Sequence, residues 1–382
     1  MTLAVGPPRP FQIHIPDSAI ADLKARLANT RWPERETVED WDQGVPLAYA
    51  QELAAYWQSE YDWRRIEARL NALPQFLVEV DGLDIHFLHV KSANPAARPL
   101  ILTHGWPGSV LEFLDVVTPL SADYHLVIPS LPGYACSGKP AAAKWSVEHI
   151  ARAWDALMLR LGYPRYFAQG GDWGSAVTCA LGSHHATNCA GIHINMVVGQ
   201  PDPATMGELT PAEQAYLARF GWYQAKDKGY AALQATRPQT IGYALTDSPV
   251  GQMCWIAEKL HGWTDCGHEP GGQSVGGHPE RALRRDAMLD NVSLYWFTAT
   301  AASSARLYWH SFRNFVGAPV HVPTGCSLFP QEIFRLSRRW AEKRFTNIVH
   351  WGEPATGGHF AAWEQPQLFT EEVRTAFGLM AL

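Results

Sequence analysis

Short apolar segments alternate with helix-like segments from residue 99 onwards, and this alternation limits the chain to a small set of folds. The apolar segments read PLILTHG, HLVIPSLPG, YFAQGG and GIHIN, and helical patterns such as SVEHIARAWDALMLRLGY stand between them. Continuous apolar strands joined by helices are typical of a parallel sheet that helices cover on both faces. The rhythm stops near residue 200 and strands resume only at PVHVPTG (319–325) and NIVHWG (347–352). We therefore predict an α/β fold with a helical insertion.

The residues before this alternation predict a separate leading segment. IPDSAIADLKARLANTRWP favours a short helix capped by Asp17, and the Trp- and Tyr-rich stretch after it favours a longer helix that breaks at Asp62. FLVEVDGLDIHFLHV alternates around an Asp-Gly turn, which indicates a β-hairpin. The predicted division of the chain is an N-terminal meander and hairpin (1–95), the first half of the core (96–199), a helical lid (200–315) and the second half of the core (316–382).

Composition excludes several classes of protein. The 382 residues are 47% hydrophobic, which supplies a large core, while the net charge of −6 and the lack of a basic stripe argue against a nucleic-acid partner. The longest apolar runs are shorter than the roughly 18–20 residues of a membrane helix. No signal-peptide pattern opens the chain, and the six cysteines form no CxxC pair, so we expect a cytoplasmic protein with reduced thiols.

Two patterns that resemble ligand sites do not fit known ones. The spacing of His184, His185, Cys189 and His193 matches no standard zinc pattern, so no metal is predicted. The glycine-rich CGHEPGGQSVGGHPE (266–280) follows no clear strand, which favours a mobile surface loop over a phosphate-binding loop.

The stretch AQGGDWGS (168–175) places an acid, Asp172, on a very tight turn. Glycines surround it, a buried strand precedes it and a helix-like segment follows. This is the pattern of a nucleophile elbow, in which a strained backbone lifts the nucleophile clear of the sheet beside the first N–H groups of the next helix. The alternative is that Asp172 only caps that helix.

The loop HGWPGS (104–109) leaves the first core strand and predicts a partner for the elbow. Its Trp106 backbone N–H and the N–H of Trp173 could form an oxyanion hole. His104 in the same loop is predicted to be a structural histidine.

A base and an acid are predicted on the loops after the last strands. His359 lies in GGHFAAWEQP (357–366), and Glu332 lies in VPTGCSLFPQEIF (322–334). The order Asp172, Glu332, His359 is the order in which α/β hydrolases carry nucleophile, acid and base. Glu353 and Asp202 are rival acids, and Glu332 is favoured.

An aspartate nucleophile restricts the chemistry. Attack on an ester or amide would form an anhydride that reverts, whereas displacement at a saturated carbon gives an alkyl ester that water can hydrolyse. Epoxides and haloalkanes are the two obvious substrate classes. An epoxide oxygen needs a proton, which phenols can supply, whereas a halide needs only N–H donors such as the indoles of Trp106 and Trp173. The residues alone leave both open and favour the epoxide, and a catalytically silent binding protein is the third reading.

Several motifs together resemble the microsomal-type epoxide hydrolases, relatives of the juvenile-hormone epoxide hydrolases. They include LILTHGWPGSVLEFLDVV, PSLPGYACSG, AQGGDWGS, VPTGCSLFPQEIF and GGHFAAWEQP, and the leading segment also looks like that of the family. The resemblance implies an α/β-hydrolase core with an inserted helical lid and a wrapping N-terminal segment. It also implies Asp172 as nucleophile, His359 as base, Glu332 as acid, and two lid tyrosines, Tyr230 in GYAALQATRP and Tyr308 in SSARLYW.

Two departures from the family pattern qualify the resemblance. GYACSG has Ala135 and Cys136 where relatives often have Gly-Phe, which could alter the pocket wall. The membrane-bound members carry an N-terminal anchor, and this chain starts with the globular segment, so we expect no membrane anchor. The expected partners are an apolar epoxide and water, without a cofactor, and a homodimer is left open.

Overall fold

The computed structural model describes residues 3–267 and 277–382, and within them the chain forms nine strands and fifteen α-helices. The strands are β1 (Arg9–Pro10), β2 (Gln75–Val80), β3 (Leu83–Val90), β4 (Arg98–Thr103), β5 (Tyr124–Pro129), β6 (Tyr166–Gly170), β7 (Cys189–Ile194), β8 (Thr324–Ser327) and β9 (Ile348–Gly352). The helices are α1 (Asp17–Ala28), α2 (Leu47–Ser59), α3 (Trp63–Asn71), α4 (Leu114–Leu120), α5 (Val147–Arg160), α6 (Asp172–His184), α7 (Pro211–Trp222), α8 (Gly229–Thr236), α9 (Pro238–Asp247), α10 (Pro249–Trp263), α11 (Arg285–Thr298), α12 (Ala301–Ser311), α13 (Arg338–Ala341), α14 (Ala361–Glu364) and α15 (Pro366–Gly378).

All nine of these strands belong to one sheet, in the order β1-β2-β3-β5-β4-β6-β7-β8-β9. The neighbours β1–β2, β2–β3 and β3–β5 pair antiparallel. The remaining neighbours, from β5–β4 across the sheet to β8–β9, all pair parallel. Strands β6 and β7 are buried along their whole length, as expected for strands covered on both faces. The predicted mostly parallel sheet with helices is confirmed.

The N-terminal segment follows most of the local sequence signals. The hairpin of β2 and β3 turns at Asp81 and Gly82, both with positive φ, as a tight hairpin turn requires. Asp62 separates α2 from α3 and accepts a hydrogen bond from the backbone N–H of Arg64. The prediction that Asp17 caps α1 is wrong: Pro16 holds the cap position, and Asp17 is the first helical residue, where its charge favours the helix dipole and pairs with Arg64.

The predicted strand over 319–325 is shorter and shifted in the structure. β8 covers Thr324–Ser327, and Val320 forms only an isolated bridge with Phe345. Pro319 and Pro323 have no N–H to donate to a neighbouring strand, so regular pairing starts only after the second proline. The carbonyl of Pro323 still accepts from the N–H of Ile192 on β7.

Helices α7 to α12 lie between β7 and β8 in the chain and form the helical insertion. The N-terminal helices bind this insertion through aromatic donors. Tyr56 donates to Asp286 and Tyr61 to Asp290, each at 2.8 Å, and the Trp57 indole donates to Ser293 at 2.9 Å. The acceptors all lie on α11, so the leading segment holds the insertion in place.

The carboxyl ends of β4, β6, β8 and β9 meet at one edge of the parallel sheet. The loops that carry Trp106, Asp172, Glu332 and His359 all leave the sheet at this edge, where open α/β sheets bind their ligands. Glycine-rich residues 268–276, within the predicted surface loop, lie outside the described part of the chain. None of the helices in the described ranges combines the length and apolarity needed to cross a membrane.

Candidate active site

The turn between β6 and α6 has the strained geometry of a nucleophile elbow. Asp172 has φ of 49°, a left-handed conformation that is unusual for a residue with a side chain. A Cβ on Gly174 would lie 1.8 Å from the carbonyl oxygen of Thr103, and one on Gly170 would lie 2.1 Å from that of Gly174. Only glycine fits at both positions, because β4 and the turn approach each other so closely. Asp172 therefore does not serve as the cap of α6: the cap residue is Gly171.

The structure brings the predicted base and acid to Asp172. The His359 Nε2 atom lies 3.3 Å from Asp172 Oδ2, and its Nδ1 atom lies 2.7 Å from Glu332 Oε1. Glu332 Oε1 also accepts the backbone N–H of Ile333. All three polar side chains are buried, with His359 3% and Glu332 2% exposed. This burial strengthens the interaction between their charges.

The two rival acids lie elsewhere. Asp202 caps a short turn by accepting the N–H of Ala204 and pairs with Lys343 at 2.9 Å. Glu353 is exposed and accepts the indole N–H of Trp351. In the described part of the chain neither carboxylate pairs with His359, so Glu332 is the acid that the fold brings to the imidazole.

The predicted amide donors lie beside the carboxylate. The Trp106 N–H donates to Asp172 Oδ1 at 2.7 Å. Trp173 is the second residue of α6, and the first N–H groups of a helix have no partner within it. Asp172 thus has one oxygen bound by a backbone donor and the other beside the histidine.

The charge of the neighbouring carboxylates dominates the protonation of His359. Burial lowers the pKa of the imidazole, but the charges and hydrogen bonds of Glu332 and Asp172 outweigh this effect and raise the pKa well above its usual value. The Nε2 atom has no aligned hydrogen-bond partner among the described residues, because its 3.3 Å contact with Asp172 is close but poorly directed. A water molecule could use this nitrogen.

Both predicted lid tyrosines lie above the elbow. The Tyr230 ring, from α8, stacks on Trp106 at 5.0 Å, and the Tyr308 ring, from α12, packs edge-on against Trp173 at 4.8 Å. The two phenol rings are 5.8 Å apart. Burial raises the pKa of both phenols well above the usual value, so they stay protonated and can donate. The tyrosines and tryptophans thus meet around one carboxylate.

Sequence reasoning missed three residues behind Tyr230. The Tyr223 hydroxyl lies 3.4 Å from that of Tyr230, at the start of a π-helical turn, Tyr223–Asp227. The ammonium of Lys259, which pairs with Asp227, lies 4.6 Å from the Tyr230 ring centroid. A π-turn often marks a functional segment, but no sequence pattern predicts one at these residues. The burial of Lys259 is visible only in the structure.

Above Asp172 lies a cavity of about 410 Å³, a size typical of small-molecule sites. Its walls are mainly aromatic and aliphatic, and Tyr230 and Tyr308 both line it. A second void, of about 10 Å³, lies between Asp172 and His359 and is also lined by Glu112 and Asn195.

The other histidines that the sequence analysis considered include His104, His185 and His193, and these three contact residues other than Asp172. His104 donates from Nδ1 to the carbonyl of Gly105 at 2.9 Å and accepts the N–H of Leu131 at Nε2 at 3.1 Å, which is the loop-supporting role predicted. Burial lowers its pKa to about 4, so it stays neutral. His185 lies beside Asp155 and His193 beside Ser327. Within the described ranges, no group of three or more His, Cys, Asp and Glu residues is arranged to hold a metal ion.

The chain is similar to known proteins over nearly its whole length. Residues 8–113 match the family model described as the epoxide hydrolase N terminus, and residues 98–240 match the α/β hydrolase fold. A putative epoxide hydrolase of Stigmatella aurantiaca is 51% identical, over 96% of this chain and 84% of its own length. Epoxide hydrolase 1 of Sus scrofa is 32% identical, over 97% of this chain and 89% of its own length.

A solved structure extends the likeness to three dimensions. The Aspergillus niger epoxide hydrolase is 33% identical and superposes with a TM-score of 0.87, covering 97% of this chain and 96% of the other. The predicted α/β-hydrolase fold and the predicted family resemblance are both confirmed. Because the likeness runs through the N-terminal segment, the core and the insertion alike, this chain belongs to the epoxide hydrolase family.

Proposed function

We propose that this protein converts an epoxide and water into a vicinal diol through an ester between Asp172 and a carbon atom of the substrate. The observation that carries the proposal is the meeting of one strained carboxylate, one carboxylate-bound histidine and two buried phenols at a single cavity. Family membership supports the epoxide as the substrate class. The buried phenols support it over a haloalkane, because a leaving halide needs no proton.

In the first step Asp172 Oδ2 attacks an epoxide carbon, and the bond from that carbon to the ring oxygen breaks. Tyr230 or Tyr308 transfers its proton to this oxygen, which becomes the first hydroxyl of the diol. Asp172 Oδ1 stays bound to the Trp106 N–H and becomes the carbonyl oxygen of the ester. The substrate is then held by one covalent bond.

In the second step water attacks the ester carbonyl carbon of Asp172 and gives a proton to His359. The void between Asp172 and His359 is close to the smallest volume that holds one water molecule, about 10–15 Å³. The Trp106 and Trp173 N–H groups stabilise the oxyanion that forms. When this tetrahedral intermediate collapses, the diol oxygen leaves and takes the proton from His359. Asp172 is left as a neutral carboxylic acid, and its proton passes to the tyrosinate and restores the phenol.

The raised pKa of His359 fits this order of events. While Asp172 is ionised, its charge helps to raise the pKa of the imidazole. Alkylation removes that charge, so the pKa of His359 falls when the ester forms. The histidine therefore becomes more readily neutral at the stage when a base is needed.

A single turnover in ¹⁸O-water tests the covalent route. With enzyme in excess over an epoxide such as styrene oxide, the first diol should carry ordinary oxygen, because its new oxygen comes from Asp172. The label should instead appear in the Asp172 carboxylate, as read by mass spectrometry of the peptide. Label in the first diol would mean direct attack by water and would overturn the proposal.

Replacing Glu332 with glutamine should change the pH profile as well as the rate. The charge of Glu332 raises the pKa of His359, so its loss lowers that pKa and moves the acid limb of ester hydrolysis to lower pH. The plateau rate should fall by up to about 10⁴-fold, because the imidazolium loses its partner and its tautomer is no longer held. Stopped-flow hydrolysis rates across pH provide the measurement. A rate loss with the acid limb unmoved would assign Glu332 a merely structural role.

A further inference from the structure

Two charged side chains line the cavity of about 410 Å³: Asp172, the proposed nucleophile, and Arg335. The other lining residues are apolar, aromatic or neutral polar, such as Leu217, Phe315 and Gln224. Arg335 comes three residues after Glu332, on the segment between β8 and α13. A charge beside apolar groups is energetically unfavourable unless it is paired. The presence of a guanidinium in this wall therefore needs a physical explanation.

Among the residues that the structure describes, no carboxylate balances the charge of Arg335. Its two basic neighbours in sequence are paired, Arg338 with Glu342 at 2.9 Å and Arg339 with Glu213. Within 3–267 and 277–382, no carboxylate forms an ion pair with Arg335, and its buried Nε atom has no hydrogen-bond partner. An unmade hydrogen bond of a buried donor is unfavourable unless a ligand completes it.

The packing around Arg335 holds it in place without using its donors. Its guanidinium carbon lies 4.7 Å from the centre of the Tyr216 ring on α7. The neighbouring Phe334 ring packs against Tyr223 at 4.9 Å. A cation over an aromatic ring is attracted by the ring's quadrupole, and this contact does not consume the carboxylate-binding donors of the guanidinium. The side chain is therefore oriented but its hydrogen-bonding capacity is free.

We infer that the substrate of this site carries an anionic group, a carboxylate, which Arg335 binds while the epoxide lies at Asp172. The planar fork of N–H donors matches a carboxylate in two parallel hydrogen bonds. The apolar walls accept the hydrocarbon between the two ends. This inference rests on the proposed function and specifies its substrate class as epoxides of carboxylic acids.

The charge of the cavity supports this assignment. Without Arg335, the charged side chain left in the wall of this cavity would be Asp172, and its negative charge would oppose the binding of an anionic substrate. Arg335 supplies a positive charge that attracts the anionic end of the substrate. A neutral epoxide would use the apolar walls alone and would leave the guanidinium unpaired.

Matched substrates make the test independent of overall activity. The probes are terminal epoxides on straight alkyl chains of four, six and eight carbons that end in a carboxylate, each compared with its primary amide. For at least one length, kcat/KM should be about tenfold or more higher for the carboxylate, the effect expected of a hydrogen bond to a charged group. The gain should appear mainly in KM, since Arg335 does not touch the reacting atoms.

Two variants and one control assign the preference to this residue. Arg335→Gln should abolish the carboxylate preference by lowering kcat/KM for the carboxylates about tenfold or more beyond any loss on the amides, and Arg335→Lys should restore part of it, because lysine keeps the charge without the fork. Arg338→Gln is the control: it removes the same charge from an exposed pair outside the cavity and should change nothing.

The outcomes separate this inference from the proposed function. Hydrolysis of the amides without a preference for any carboxylate, or a preference that survives Arg335→Gln, would overturn the inference and leave the proposed function standing. Equal losses on both substrate types in Arg335→Gln would show that the residue only clamps Tyr216, and would also overturn it. If no epoxide forms an Asp172 ester, both fail together.

Discussion

Replacing His359 with glutamine should stop turnover while the enzyme still reacts once with its substrate. Attack by Asp172 needs no base, whereas hydrolysis of the ester does, so steady-state turnover should fall by about 10²- to 10⁴-fold. The peptide that contains Asp172 should gain the full mass of the epoxide, because ring opening expels no atom. Intact-protein and peptide mass spectrometry provide the measurement.

A matched control and a second variant make this result specific. His321 is exposed and contacts Thr346, far from the proposed chemistry, so His321→Gln should hydrolyse epoxides at the normal rate and accumulate no adduct. Adding Asp172→Asn to His359→Gln should remove the adduct. Absence of any adduct in His359→Gln, with the variant folded, would leave a non-covalent enzyme or a silent binding protein as the better reading.

Removing both lid hydroxyls should block the first step instead of the second. In a Tyr230→Phe/Tyr308→Phe variant the epoxide oxygen would leave without a proton donor, and ester formation should slow by about 10²- to 10⁴-fold. Each single variant should lose less, because the other phenol remains. Since the Tyr230 ring stacks on Trp106 and the Tyr308 ring packs edge-on against Trp173, phenylalanine preserves the packing. The rate of adduct formation, measured in the His359→Gln background, isolates this step.

Two comparisons decide whether the hydroxyls act as acids. Tyr243 lies on α9 of the insertion and is 70% exposed, so Tyr243→Phe should form the adduct at the normal rate. A haloalkane that alkylates Asp172 should do so equally well with and without the phenols, because halide leaves unprotonated. A double variant that opens epoxides normally would remove both tyrosines from the mechanism.

Much of the candidate site could be predicted because its residues lie in strong local patterns. The elbow needs glycines where β4 approaches within 2 Å of an added Cβ, and the sequence GGDWG has glycine at these positions. His359 and Glu332 follow strands whose carboxyl ends must meet in a parallel sheet. Tyr230 and Tyr308 came only from the family resemblance, since nothing local marks a tyrosine as an acid.

The predictions that failed concern positions where neighbours in space override local preference. Asp17 has the residue type of a helix cap, but Pro16 already supplies the turn into α1, so the acid moves one position inward. PVHVPTG has the alternation of a strand, but its prolines cannot donate to the sheet and β8 forms after them. Each departure is a matter of one to five residues, because hydrogen-bond partners decide where an element ends.

By itself the amino-acid sequence determined the parallel core, the helical insertion, and the elbow with an aspartate at its tip, because these depend on periodicity and on glycine at crowded positions. Only the tertiary structure decided that Glu332, and not Asp202 or Glu353, reaches His359. It also showed that Arg335 faces the same cavity as Asp172 and that no carboxylate in the described part of the chain pairs with it. Such choices depend on distances between residues on different segments of the chain, and no local pattern encodes them.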